Sequence, residues 1–182
     1  MPSERDFALL ETWTCYGQWL PGDPRGYVSN TLTEEGYRAR RNVRGTNYDR
    51  DDPATLRRAK TLQKHPTMWL TKELANVTAQ AMLAAAVDRE WIILRAAVMS
   101  NHVHAVVANC PDDAPAVRRV LKGVSQARLN DHVGSPKSWW TRGGSDRYLH
   151  GEQAIAAAAV NYVAQQARML AAIENNAIAL VK

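Results

Sequence analysis

Three consecutive segments decide the fold: Trp91-Ile-Ile-Leu-Arg-Ala-Ala-Val-Met99, Ser100-Asn101 and His102-Val-His-Ala-Val-Val-Ala-Asn109. The first and the third are short apolar runs rich in β-branched residues, which is typical of strands. Ser100 and Asn101 separate them as a turn, so the whole stretch predicts a β-hairpin. Cys110-Pro111-Asp112-Asp113 then ends the second strand.

Amphipathic helices flank this hairpin on both sides along the chain. Apolar residues recur every three to four positions from about Thr71 to Asp88, and again from about Ala114 to Val133. A first strand is predicted at Phe7–Trp19, and a hairpin or edge strand is predicted around Gly143-Gly144. Without residues 20–67 the order is β-α-β-β-α-β. This order predicts an α+β protein with the ferredoxin-like split β-α-β arrangement, in which an antiparallel sheet carries helices on one face.

Three other regions complete the predicted single domain of residues 1–182. Residues from about 20 to 67 begin with two prolines and two glycines and lack a long apolar period, which predicts a basic insertion or arm with one short helix, Asp52 to Gln63. The alanine-rich segment from Glu152 to about Ile173 predicts a last long helix. The apolar tail, Ala177 to Val181, either packs on a partner, which would favour a homodimer, or folds back as a covering element.

Length and composition exclude several classes of protein. The chain has 182 residues, 46% of them hydrophobic and 23% charged, which suits one globular domain and excludes disorder, collagen and coiled coil as the whole protein. Charged residues, among them Arg89, Glu90 and Arg95, flank or interrupt the longest apolar candidate for a bilayer span. The start of the chain has no apolar signal-peptide region, and the two cysteines favour a reducing compartment. We therefore expect a soluble, cytoplasmic protein with no membrane partner.

Positive charge is concentrated in two segments of the chain. Gly36 to Lys64 contains nine basic and three acidic residues, and Arg118 to Arg147 contains seven basic and two acidic residues. The net charge of the whole chain is only +5, so the remainder is acidic. This pattern predicts a polyanionic partner, although each segment alone fits the solvated face of a helix equally well. Nearby aromatic residues on which bases could stack favour a nucleic acid: Tyr37, Tyr48, Trp69, Trp139, Trp140 and Tyr148.

The pair His102 and His104 lies at the start of a predicted strand. Residues i and i+2 of a strand point to the same face, roughly 6.5 to 7 Å apart, so two imidazoles can converge on one cation. Val103, Ala105 and Val107 then belong to the opposite face, which needs apolar packing. A His-x-His motif by itself is weak evidence, because two incidental histidines near a turn would look the same.

Tyr162 and Gln166 are separated by four residues in the predicted last helix and share one face of it. The angle between them around an α-helix is about 40°, compared with about 60° on the other side for Gln165. A tyrosine nucleophile needs help with developing negative charge, which a divalent cation can supply. On periodicity alone, a half-buried tyrosine with its hydroxyl at the surface and no chemical role is the favoured interpretation.

The joint occurrence of these motifs is far more specific than either one. Met99-Ser-Asn-His102-Val-His104-Ala-Val-Val is followed, after about sixty residues, by Tyr162-Val-Ala-Gln-Gln166. Together they resemble the single-tyrosine HUH transposases, which include bacterial insertion-sequence transposases and REP-associated tyrosine transposases. Gly17-Gln-Trp-Leu-Pro-Gly-Asp-Pro-Arg-Gly26 and Trp140-Thr-Arg-Gly-Gly-Ser-Asp-Arg-Tyr148 also look like family segments. The similarity extends from about Phe7 to Met169, with Ser100 standing where the signature often has proline.

The resemblance implies a fold, a reaction and a site. The family fold is the ferredoxin-like arrangement with a C-terminal catalytic helix. His102, His104 and Gln166 would hold Mg²⁺ or Mn²⁺, and Gln165 is the alternative third ligand. Tyr162 would attack a phosphate of single-stranded DNA next to a hairpin and form a 5′-phosphotyrosine link, which a 3′-hydroxyl later reverses. No nucleotide cofactor is expected, because the linkage conserves the bond energy and no glycine-rich phosphate loop is present.

The predicted DNA contacts lie beside the histidines, on the second long helix and in the two basic segments: Asn101, Arg118, Lys122, Arg128, Arg142, Arg40, Arg41 and Arg44. Two alternatives stay open. The chain could be another HUH nickase of the replication-initiator type, although those usually show a third histidine or an acidic ligand. It could also be a domesticated single-stranded-DNA-binding protein that has lost catalysis.

Overall fold

The structure is a computed structural model that describes residues 7–24, 52–111 and 113–181. The chain divides into two compact units, Met1–Tyr16 with Met68–Lys182, and Gly17–Thr67. The larger unit contains the hairpin, the long helices and the C-terminal region. In the smaller unit a short helix, α1 (Pro53–Thr61), begins at Asp52, whose carboxylate accepts hydrogen bonds from the Ala54 and Thr55 amides. Most of the predicted basic insertion, including residues 25–51, lies outside the described residues.

The larger unit is built on one antiparallel sheet, which confirms the predicted α+β class. Its described strands are β1 (Phe7–Thr14), β2 (Ile92–Val98), β3 (His102–Ala108), β4 (Ser145–His150), β5 (Ala171–Glu174) and β6 (Ala177–Ala179). Their order across the sheet is β4-β1-β3-β2-β5-β6, and every neighbouring pair is antiparallel. The helices of this unit are α2 (Lys72–Asp88), α3 (Ala114–Val133) and α4 (Glu152–Ala156), and a π-helix (Ala157–Val163) continues α4 directly.

The two long helices begin and end close to where the sequence predicts. Thr71 precedes α2, and its hydroxyl accepts a hydrogen bond from the Leu74 amide at 3.3 Å. Asp113 does the same for α3 through the Ala116 amide, and Gly134, at φ 66°, ends that helix in the left-handed conformation. None of the helices in the described ranges is long and apolar enough to cross a bilayer.

The sheet separates two apolar cores. On one face Leu9, Trp13 and the alternate β3 residues Val103, Ala105 and Val107 pack with α2 and α3. On the other face Leu10, Ala97 and Val106 pack with buried residues of α4 and the π-helix, including Ala158 and Val163. Because side chains alternate along a strand, His102 and His104 belong to this second face.

The predicted last helix, Glu152 to Ile173, is wrong beyond residue 163. The helix ends at Val163, and residues 171–174 form β5 against β2, with Ile173 opposite Ala96. Asn175 and Asn176, both with positive φ, then turn the chain into β6. The tail Ala177–Ala179 is therefore a sheet strand, and Ile173 is a fully buried core residue of the α2–α3 face. The first strand also ends earlier than predicted, at Thr14 instead of Trp19.

Candidate active site

Three neighbouring elements bring together the two histidines and the tyrosine. His102 and His104 are the first and third residues of β3, and Thr14 and Thr12 stand directly opposite them on β1. The π-helix packs over this face of the sheet through Val163, which is fully buried. Tyr162, on the same segment, contacts His104. The site follows from strand register and from helix packing, since the tyrosine is about sixty residues away in sequence.

The three rings form a continuous row. The centroids of His102 and His104 are 4.9 Å apart, and those of His104 and Tyr162 are 5.1 Å apart, in both cases with an edge-to-face orientation. His104, in the middle, is 5% exposed, whereas Tyr162 is 45% exposed. The phenol is therefore accessible to solvent, while the imidazole beside it is buried.

Hydrogen bonds orient both imidazoles through the same ring nitrogen. The Asn101 side-chain oxygen accepts a hydrogen bond from His102 Nδ1 at 2.7 Å, and the Thr12 hydroxyl lies 2.7 Å from His104 Nδ1. A proton on Nδ1 places the ring lone pair on Nε2, the atom through which a histidine can bind a cation. Asn101, predicted as a DNA contact, is thus placed to orient His102.

Burial keeps both imidazoles neutral near pH 7. It lowers the pKa of His102 below its ordinary value, and it lowers the pKa of His104 to about 4, with the neighbouring His102 as a second cause. The neutral ring is the form that binds metal ions. Both rings are therefore in the neutral form near pH 7.

Gln166 lies past the end of the tyrosine helix, the π-helix Ala157–Val163 that carries Tyr162. The segment carrying Tyr162 is a π-helix, so the α-helical angles that favoured Gln166 over Gln165 do not apply. The Gln166 amide nitrogen donates to the Tyr162 carbonyl oxygen at 3.2 Å, while that of Gln165 donates to the Val160 carbonyl, also at 3.2 Å. Gln165 is exposed and Gln166 is half-buried. Because this hydrogen bond uses the amide nitrogen of Gln166, the side-chain oxygen is the atom that a cation would bind.

Two neutral imidazoles suit a divalent cation, whereas the hydrogen bond of Gln166 goes to the Tyr162 backbone and does not join this residue to the histidines. Two neutral imidazoles are oriented by Asn101 and Thr12, and an amide oxygen is available on the segment after the tyrosine helix. Within the described ranges, no group of three His, Cys, Asp or Glu side chains is placed to hold a metal. Imidazole nitrogen is a ligand for Zn²⁺ or Ni²⁺, and an amide carbonyl oxygen is a ligand for Mg²⁺ or Mn²⁺.

Two of the predicted DNA-contact residues bind the protein itself. Arg118, 11% exposed, forms ion pairs with Glu11, at 3.1 Å, and with Asp146 on the α3 side of the sheet. Lys122 donates to the carbonyl oxygens of Thr141 and Gly143 at 2.6 and 2.5 Å. Burial, together with the Arg118 charge, lowers the pKa of Lys122 to about 8. These placements do not favour the predicted DNA contacts, because both cations hold β4 and the preceding loop against α3.

The other predicted contacts are spread over the surface. Arg128 is exposed beside α2, and Arg142 is exposed in the loop before β4. Arg40, Arg41, Arg44, Tyr37 and Tyr48 lie outside the described residues. Among the predicted stacking aromatics, Trp139 and Trp140 are buried at 3% and 8% exposure, so they are unavailable to bases. Trp69 and Tyr148 remain exposed, at 53% and 45%.

A cavity beside Tyr162 contains residues that the sequence analysis missed. Its volume is about 460 Å³, and its polar lining consists of Thr12, Ser145, Arg147 and Tyr162. In the sequence Arg147 stands out only as a member of a basic segment. Alternation along Ser145-Asp146-Arg147 could have suggested that residues 145 and 147 share a face, but which face depends on the pairing of β4 with β1.

Comparisons with known proteins assign no family. No protein-family model matches the sequence, and no curated protein matches it. Fold and site by themselves define the class: an α+β protein in which a His-x-His pair and a tyrosine converge on one face of an antiparallel sheet.

Proposed function

We propose that the protein is a metal-dependent tyrosine transposase or nickase of the single-tyrosine HUH type. Its substrate is single-stranded DNA that carries a hairpin, and it cleaves and rejoins strands through a 5′-phosphotyrosine intermediate. The observation that carries the proposal is the row of His102, His104 and Tyr162, with adjacent ring centroids 4.9 and 5.1 Å apart. Three residues of the two motifs that resemble this family, His102, His104 and Tyr162, lie side by side, and this supports the proposal.

The order of the first four strands supports the proposal. Across the sheet these strands lie in the order β4-β1-β3-β2, with α2 between β1 and β2 and α3 between β3 and β4. This is the order expected of the split β-α-β arrangement. β5 and β6 extend that sheet beyond β2, and the tyrosine helix covers the face opposite α2 and α3.

The π-helix is a second supporting feature. π-helical turns are rare and occur frequently at functional sites, because they widen the helix and redirect side chains. Here the π-helical segment Ala157–Val163 includes Tyr162 itself. The alanines Ala158 and Ala159 are buried against the sheet, and their small side chains let this helix lie close to it.

In the proposed reaction Tyr162 is the nucleophile. A divalent cation held by His102, His104 and Gln166 would act as a Lewis acid on the scissile phosphate. The phenol oxygen of Tyr162 forms a bond to phosphorus while the bond from phosphorus to the 3′ oxygen breaks. The phenol proton passes to solvent, which reaches the half-exposed ring, and the departing 3′ oxygen takes up a proton as a hydroxyl. In the rejoining step a 3′-hydroxyl attacks the phosphotyrosine and restores the phenol.

The test is formation of a covalent adduct between the protein and DNA. Purified protein is incubated with Mn²⁺ and a pool of hairpin-bearing single-stranded oligonucleotides and is run on a denaturing gel. We expect a slow band that survives boiling and SDS. Tyr162→Phe should abolish the band, whereas Tyr148→Phe is the matched control, because Tyr148 is also 45% exposed but lies on β4 near the start of α3.

The outcomes separate the proposal from its alternatives. An adduct that persists in Tyr162→Phe would contradict the nucleophile assignment. Salt-sensitive binding of oligonucleotides by the wild type without any adduct would favour a binding protein that has lost catalysis. An adduct that forms without strand rejoining, when a 3′-hydroxyl strand is supplied, would favour a nickase.

A further inference from the structure

The cavity beside Tyr162 combines one cationic side chain with an apolar wall. Leu10, Ala154, Ala157 and Ala158 form the wall, and Arg147 and Ser145 lie on the opposing strand β4. A cavity of about 460 Å³ lies within the size range of small-ligand sites. It is therefore large enough for one flat, partly apolar ligand group that carries negative charge.

Strand register places the cationic side chain on the same face as the histidine pair. Ser145 stands opposite Thr12, which in turn stands opposite His104, and Arg147 stands opposite Leu10. Direct partners in an antiparallel sheet have side chains on the same face. Leu149, the next alternate residue of β4, is buried in the core of this face, which agrees with that assignment.

Arg147 has no partner of its own within the described residues. Its side chain is exposed, and it takes part in none of the ion pairs or hydrogen bonds that hold β4. Asp146, its neighbour, points to the other face and pairs with Arg118. The guanidinium is therefore available for a ligand, and its planar set of donors matches the oxygens of a phosphate.

We propose that this cavity binds the nucleotide joined to the scissile phosphate, with Arg147 on a phosphate oxygen and the base against the alanine wall. This inference rests on the proposed function, because Tyr162 is part of the cavity lining. An unpaired nucleotide satisfies all the observed features together: one negative charge for Arg147, a flat face for Leu10 and the alanines, and polar edges for Ser145. The cavity thereby favours a single-stranded segment at the cleavage position.

The test is binding of a fluorescent short oligothymidylate, measured by anisotropy with EDTA present, so that it depends on neither metal nor cleavage. Arg147→Gln should weaken binding on the order of tenfold, as expected for a lost hydrogen bond to a charged group. The slope of log affinity against log salt should fall by about 0.7, the value for one phosphate contact on a single strand. Arg119→Gln is the matched control, since Arg119 is exposed on α3 and changes the net charge equally.

The wall of the cavity is tested with a second pair of variants. Ala157→Leu projects a larger side chain from an exposed position that lines the cavity and should weaken binding severalfold. Ala156→Leu is its control, because Ala156 is exposed on the same helix and lines a different cavity. Circular dichroism of each variant reports whether the fold is retained.

The outcomes distinguish this inference from the proposed function. If Arg147→Gln and Ala157→Leu both keep the wild-type affinity and salt slope and the covalent adduct still forms, the cavity assignment is overturned and the proposed function is not. Weakened binding in both variants of a protein that never forms an adduct would support the cavity assignment and contradict the catalytic proposal. A wild-type protein that does not bind the oligothymidylate would overturn the cavity assignment, and the adduct assay with hairpin DNA then decides the proposed function separately.

Discussion

Replacing Thr12 by valine tests whether the histidine pair is a metal site. The substitution keeps the shape and branching of the side chain but removes the hydroxyl that lies 2.7 Å from His104 Nδ1. His104 is only 5% exposed, so water has little access to replace the lost partner. In the tautomer with its proton on Nδ1, the imidazole loses the acceptor for that proton, and the tautomer with the proton on Nε2, the atom needed for the cation, becomes relatively more favourable.

The size of the effect follows from this loss. Removing the partner that orients a metal-bound histidine typically lowers metal affinity by about 10- to 100-fold. This corresponds to about 1.4 to 2.8 kcal/mol of binding free energy. The cost of a buried nitrogen without a partner, about 1–3 kcal/mol, lies in the same range. We therefore expect Thr12→Val to weaken Mn²⁺ binding by at least tenfold, and Thr12→Ser to restore most of the affinity.

The assay is a titration of Mn²⁺ followed by electron paramagnetic resonance, with Co²⁺ absorption as a second readout. Thr14→Val is the matched control, because Thr14 lies on the same strand opposite His102 but its hydroxyl bonds Thr141 at 2.9 Å. Nitrogen-15 NMR of the metal-free protein reports the His104 tautomer directly. A Thr12→Val protein that binds Mn²⁺ within twofold of the wild type, with an unchanged tautomer, would refute the reasoning.

Three further predictions concern stability. Burial outweighs Arg118 and raises the pKa of Glu11 from 4.5 to about 7, so the folded protein holds this proton more firmly than the unfolded chain does. The resulting stabilisation, up to about 3 kcal/mol, is present below pH 4.5 and is lost as the pH rises through 7. The free energy of unfolding, measured in urea, should therefore fall with pH in the wild type more steeply than in Glu11→Gln. Parallel pH profiles of the two proteins would contradict this prediction. Gly144→Ala should lower the free energy of unfolding by about 1–3 kcal/mol, because its Cβ would lie 2.5 Å from the Thr12 carbonyl oxygen; an unchanged melting temperature would oppose this. Asn176→Ala should lower the free energy of unfolding by about 2 kcal/mol, because it removes hydrogen bonds of 2.7 and 2.9 Å to the backbone of β2 and of the residue before it. A variant that unfolds in urea at the same concentration as the wild type would contradict this.

Sequence signals within a few residues were sufficient to predict the helices whose ends are set by the adjacent capping residue. Thr71 and Asp113 each bond an amide in the first turn of the following helix, and Gly134 takes the left-handed conformation that ends α3. The hairpin of β2 and β3 could be predicted because a polar pair separates two apolar runs. In these cases the interaction that defines the boundary lies within a few residues of it.

The C-terminal region could not be predicted in this way. Alanine favours helix, and Ala171-Ala172-Ile173 continues an alanine-rich helical pattern. The open edge of β2 offers these residues backbone hydrogen bonds, and the core behind it buries Ile173. Tertiary pairing therefore overrides a propensity difference of a few tenths of a kcal/mol per residue.

The sequence by itself determined which residue types are present for the site: a histidine pair with strand spacing and a tyrosine followed by glutamine. Only the tertiary structure decided which partners surround them, because those partners come from distant strands. Thr12 reaches His104 through the register of β1 with β3, and Arg147 joins the Tyr162 cavity through the register of β4 with β1. A shift of one residue in either register would turn these side chains to the opposite face. Register depends on packing across the whole sheet, and so no local pattern specifies it.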